Sequence, residues 1–134
     1  MKKQQYTYLL ARLPMGLSFF GHGAIRIIKY AAFTSGMEKQ FASSLLPNAL
    51  VSPFAHVLPF VELLIGILLL AGLFTRFALV LAAILMMALI FGTAAIEQWQ
   101  GIFTQLFYSA YLAVLFNYTN YNKYSVDGWR GAVE

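Results

Sequence analysis

VLPFVELLIGILLLAGLF, residues 57–74, decides the fold. It carries one charged residue, Glu62, in a run close to the ~20 residues that span a bilayer core. After Thr75-Arg76 a second run follows, FALVLAAILMMALIFGTAAI at residues 77–96, with no charge at all. A connection that short makes the two segments antiparallel. The whole chain has the same character: 60% hydrophobic, 10% charged, mean hydropathy +0.71. A soluble fold of 134 residues could not bury so much apolar surface, so lipid is the solvent these segments suit.

Working outward, two more apolar segments complete the set. One covers residues 8–28; the other, IFTQLFYSAYLAVLFNY, covers 102–118 and follows the short link Glu97-Gln98-Trp99-Gln100-Gly101. The sequence therefore predicts an all-α integral membrane protein. Its single domain, residues 1–134, is a four-transmembrane-helix antiparallel bundle with spans at about 8–28, 57–74, 77–96 and 102–118. The start, MKKQQYTYLLARLPMGLSFF, resembles a signal peptide only superficially, because Arg12 interrupts the apolar run and no small-residue cleavage site follows. It reads as a retained first span.

The connection between the first two spans has a pattern of its own. Ser35 and Glu38 stand at capping-box spacing. Met37, Phe41 and Leu45 then recur every four residues, opposite Lys39 and Ser43. This predicts a short amphipathic helix at about 35–45, on the membrane surface or against the bundle, with Pro47 and Pro53 bracketing the return to the second span.

The nine basic side chains act as topology signals rather than as a nucleic-acid surface; no basic–aromatic patch accompanies them. With the N-terminus inside, Lys2, Lys3, Arg12, Arg76, Lys123 and Arg130 fall inside, and Arg26, Lys29 and Lys39 outside. That balance places both termini in the cytoplasm. The chain has no cysteine, which excludes disulfides, thiolate metal sites and any thiol relay run by this chain alone.

Polar groups inside the spans are the candidates for function. His22, Arg26 and Lys29 lie four and three residues apart, along one helix face. His22 falls ~12 Å and Arg26 ~6 Å below the outer surface at 1.5 Å per residue, and Glu62 reaches ~12 Å on the antiparallel second span. Glu62 is thus the natural group opposite His22 and Arg26. Gln105 and Tyr108 add to the same layer from the fourth span. His22, Arg26, Glu62, Gln105 and Tyr108 are the candidate ligand-pocket residues, and the inner half of the spans reads as nearly all aliphatic. Lys29 reads as snorkelling to the headgroups, His56 as interfacial, Arg76 as an anchor at a tight turn, and Gly16, Gly21 and Gly23 as sites of close helix contact. No metal-ligand spacing, phosphate loop or nucleophile–base–acid set is present. His22 and His56 differ by ~8 Å in depth, which disfavours a bis-histidine haem.

Three stretches carry a resemblance: RLPMGLSFFGHGAIRI, PFVELLIGILLLAGLFTR and the tail YSVDGWR. Together they resemble the DoxX family of small bacterial membrane proteins. Val126 stands where that family's Ser-Leu-Asp ending has leucine. The resemblance implies a four-helix membrane bundle and, through the relative DoxD, a membrane subunit of a thiosulfate:quinone oxidoreductase. On that reading the five polar residues would receive a quinone headgroup or a small anion. The competing reading is a non-catalytic membrane scaffold or assembly subunit. Its polar cluster would fix the bundle and its loop helix would dock a partner protein.

Overall fold

The structure, a computed structural model, describes residues 2–131. Six α-helices follow in order: α1 Lys2–Ile28, α2 Tyr30–Phe41, α3 Asn48–Ala71, α4 Thr75–Ala95, α5 Trp99–Asn117 and α6 Val126–Trp129, with a 3₁₀ turn at Thr119–Tyr121 before α6. No strand occurs among the described residues. α3 and α4 are long and apolar enough to cross a membrane, at mean hydropathies of 2.3 and 2.5. Their outward faces are what water would not tolerate: Phe60, Leu64 and Ile67 on α3, and Phe77, Val80, Ile84, Met87 and Phe91 on α4, are all exposed.

The helices pack as two pairs, α1 with α3 and α4 with α5, joined by the contact of α3 with α4. In lipid, helices gain little from hydrophobicity and pack through close contact instead. Glycine supplies that contact between α1 and α3. A Cβ added at Gly16 would lie 2.9 Å from the Leu70 nitrogen, one at Gly23 would strike the Leu63 backbone, and one at Gly66 the Phe20 backbone. Gly21, expected to share this role, faces open space.

The segment after α1 departs from the sequence reading. The backbone bends at Lys29 but its hydrogen-bond ladder continues: Lys29 N–H donates to Ile25 O at 3.0 Å and Phe33 N–H to Lys29 O at 2.9 Å. α2 therefore begins at Tyr30, not at an N-cap on Ser35. Ser35 lies inside α2 and its hydroxyl donates to Ala31 O at 2.8 Å. Phe33, Thr34, Met37 and Phe41 face inward, while Ser35, Gly36, Lys39 and Gln40 are exposed. α2 ends at Phe41, so Leu45 lies beyond it, 95% exposed. Pro47 is the N-cap of α3, and Pro53 lies within that helix rather than ahead of it.

The turn from α3 to α4 is only Gly72-Leu73-Phe74. Gly72, at φ 68°, closes α3: its N–H and that of Leu73 both donate to Leu68 O, satisfying an otherwise orphaned end. Phe74 follows at φ 47°, a left-handed conformation that costs a non-glycine residue ~1–2 kcal/mol. What holds it there comes from the far end of the chain.

Candidate functional site

Between the two helix pairs lies a cavity of about 190 Å³. His22, Arg26, Glu62, Gln105 and Tyr108 all line it, with Ser18 and Thr104 as further polar groups and Leu58, Met86 and Leu89 as apolar wall. Met37 of α2 reaches the same cavity, so α2 covers it from the side.

The five share a space but not one network. Arg26 Nη1 donates to Glu62 Oε1 in an ion pair. The carboxylate side chain is 5% exposed and the guanidinium side chain 30%, the latter stacked at 4.7 Å on the ring of Phe33 from α2. Pairing is what lets an ionised carboxylate sit so deep. His22 does not join the pair. Its Nδ1 lies 2.7 Å from Ser18 O and must donate, because a carbonyl only accepts; Nε2 of the neutral ring is then the acceptor. His22 is exposed, on the boundary between the cavity and an outer groove of about 440 Å³ along Leu17, Gly21 and Ile25. The Tyr108 hydroxyl meets that of Ser18 at 2.5 Å. Gln105 Nε2 donates to Thr93 Oγ1 at 2.8 Å, while its Oε1 is buried without a partner in the structure. A buried acceptor left open favours a donor, and the space admits several waters or one small polar molecule. Among the described residues no group of three or more histidines and carboxylates is placed to hold a metal ion.

A second polar cluster lies at the opposite end of the bundle, where the sequence reading expected aliphatic packing and interfacial cations. Arg12 is 2% exposed. Its Nη1 donates to Asn122 Oδ1 and its Nη2 to Tyr124 O at 3.2 Å. Asn122 Nδ2 in turn donates to Thr75 Oγ1 at 2.9 Å. Asp127 accepts from Phe74 N–H at 2.9 Å and Thr75 N–H at 2.8 Å, capping α4 from across the sequence, while its own N–H donates to Gly72 O at 2.9 Å. The carboxylate satisfies orphan amides at the positive end of a helix dipole and holds Phe74 left-handed. Ser125 sets the tail's shape: its hydroxyl accepts from Gly128 N–H at 2.9 Å and donates to Asn122 O at 2.8 Å. Beside it the rings of Tyr6 and Tyr124 stack at 4.8 Å, and a hydrogen bond with Tyr6 raises Tyr124 above the ordinary phenol range. The signal for this lock was the polar run from Asn117 to Asp127, whose partners lie far away in sequence.

The family model described as "Methylamine utilisation protein MauE" matches residues 4–104, well over half of the chain. No curated protein matches, and neither does any solved structure. The family match corrects the resemblance to DoxX: the apolar spans and the Glu62 segment that suggested it are matched by a different family. The thiosulfate:quinone expectation rested on that resemblance and has no other support.

Proposed function

The chain belongs to the MauE family, and from that premise we propose that it is a membrane-embedded accessory protein of methylamine utilisation, one that supports a partner protein rather than carrying out a reaction itself. The family match is the observation that carries this reading. The site agrees with it: a charge-balanced cavity, no cysteine for a redox relay, and an ion pair suited to fixing helix register.

On this reading α1, α3, α4 and α5 all cross a bacterial inner membrane. α1 and α5 fall short of α3 and α4 in hydropathy because they carry the polar groups that the bundle encloses. Lys2, Lys3, Arg76, Lys123 and Arg130 gather at the end holding both termini, against Lys29 and Lys39 at the other, so both termini are cytoplasmic. α2 and the segment after it then lie on the outer side. Leu45 and Leu50, 95% and 62% exposed, give that side an apolar contact for the partner.

A photo-crosslinking amino acid at Leu45 tests this in the native host. Cells grown on methylamine should yield a specific crosslinked protein of the methylamine-utilisation machinery, absent when the probe stands at the lipid-facing Leu17. Crosslinks to lipid alone, or the same products from both positions, would overturn the docking role.

A further inference from the structure

Another cavity lies at the end of the bundle that carries the Arg12 and Asp127 cluster. It is an open groove of about 460 Å³ between the first turns of α1 and the last turns of α5. One end is polar, with Lys3, Gln4 and the ring of Tyr121; the other is apolar, with Ala11, Val114 and Leu115. Lys3 and Ala11 are eight residues apart, so the groove runs ~12 Å along α1. Tyr8 fixes its level: its hydroxyl donates to Leu115 O at 2.9 Å, in the last turn of α5. The groove therefore crosses the plane at which the bundle ends.

Its surroundings are cationic and aromatic. Lys3 supplies the charge at the groove itself, while Arg76 lines a separate pocket and donates to Thr119 Oγ1. The carboxylate of Asp127, buried here, is already engaged by two backbone amides. Tyr118, 48% exposed, lines the groove with Tyr121, an aromatic pair of the kind found at the depth of lipid headgroups. A lysine at the mouth of an apolar channel suits an anionic headgroup joined to a hydrocarbon chain.

We propose that this groove binds an anionic glycerophospholipid, its phosphate beside Lys3 and one acyl chain along Ala11, Val114 and Leu115. The charge of the mouth selects anionic over zwitterionic headgroups; the apolar floor requires a chain. The site depends only on this end of the bundle meeting a bilayer surface, not on the accessory role proposed above.

Native mass spectrometry of the full chain, released from detergent and titrated with dioleoyl phosphatidylglycerol or dioleoyl phosphatidylcholine, tests it. The wild type should bind phosphatidylglycerol more tightly. Lys3→Gln should weaken that binding about fivefold, the effect of one basic residue near a headgroup, and leave phosphatidylcholine unchanged. Val114→Trp, which fills the channel, should weaken both lipids. Lys3 is exposed and makes no ion pair among the described residues, so Lys3→Gln stays informative even where Val114→Trp fails to fold. Equal binding of the two lipids, or wild-type binding by Lys3→Gln, would overturn the proposal. So would soluble glycerol 3-phosphate competing as well as the lipid, which would make this a free-phosphate site.

Discussion

Arg26→Met leaves the Glu62 carboxylate without its partner at a position where the side chain is 5% exposed. Removing one member of a fully buried pair costs about 3–5 kcal/mol, most of it the desolvation of the charge left behind. Two features reduce that here. Arg26 is 30% exposed, so part of the attraction is already screened, and Glu62 borders a cavity that admits water. The expected loss is then about 2–4 kcal/mol for Arg26→Met. Glu62→Gln should lose less, about 1–3 kcal/mol, because the amide oxygen still accepts from the guanidinium. The decisive variant is the double, Arg26→Met with Glu62→Leu. It buries no charge and retains volume, and should return to within about 1 kcal/mol of wild type. SDS-driven unfolding in mild detergent, followed by tryptophan fluorescence, reads all three. A double variant as unstable as Arg26→Met would refute the reasoning, because the loss would then come from packing rather than from the unpaired charge.

Three further outcomes follow from the same geometry. Asp127→Ala removes two charge-assisted bonds to the start of α4, and should cost about 2–4 kcal/mol and expose the tail to limited proteolysis near Lys123; an uncleaved tail would contradict its capping role. Gly66→Val drives a side chain into the Phe20 backbone and should destabilise by 3 kcal/mol or more, about the upper end for an overpacked site, whereas Gly21→Val meets nothing and should be near neutral. Equal effects of the two in detergent unfolding would mean that α1 and α3 do not pack as described. Arg12→Met strands the Asn122 oxygen and should unfold at least as easily as Asp127→Ala; wild-type stability would show that the buried guanidinium holds nothing together.

Much of this was legible in the sequence, for identifiable reasons. α3 and α4 announce themselves because apolar runs of that length have few alternatives. The pairing of Arg26 with Glu62 followed from depth, since rise per residue is fixed and consecutive spans alternate in direction. Depth alone does not give rotation, however. His22 lies at the right height but turns to the Ser18 carbonyl and the outer groove rather than to Glu62. Ser35 and Glu38 have capping spacing, yet the helix already runs through them after a one-residue bend at Lys29. The lock at the other end shows in the sequence only as a polar run from Asn117 to Asp127, without its partners. Arg12 is indistinguishable by type from a cation at the membrane surface, and its partner Asn122 lies at the far end of the chain. The apolar spans and the Glu62 segment do not single out DoxX, because the MauE family model matches the same stretches.

The most direct test of the central claim is an unmarked, in-frame deletion in the native host, with methylamine as the only nitrogen source and its disappearance from the medium measured. The account predicts that consumption stops and that the wild-type chain supplied from a plasmid restores it, while growth on ammonium is unaffected. Methylamine consumed at the wild-type rate by the deletion strain would contradict a role in methylamine utilisation.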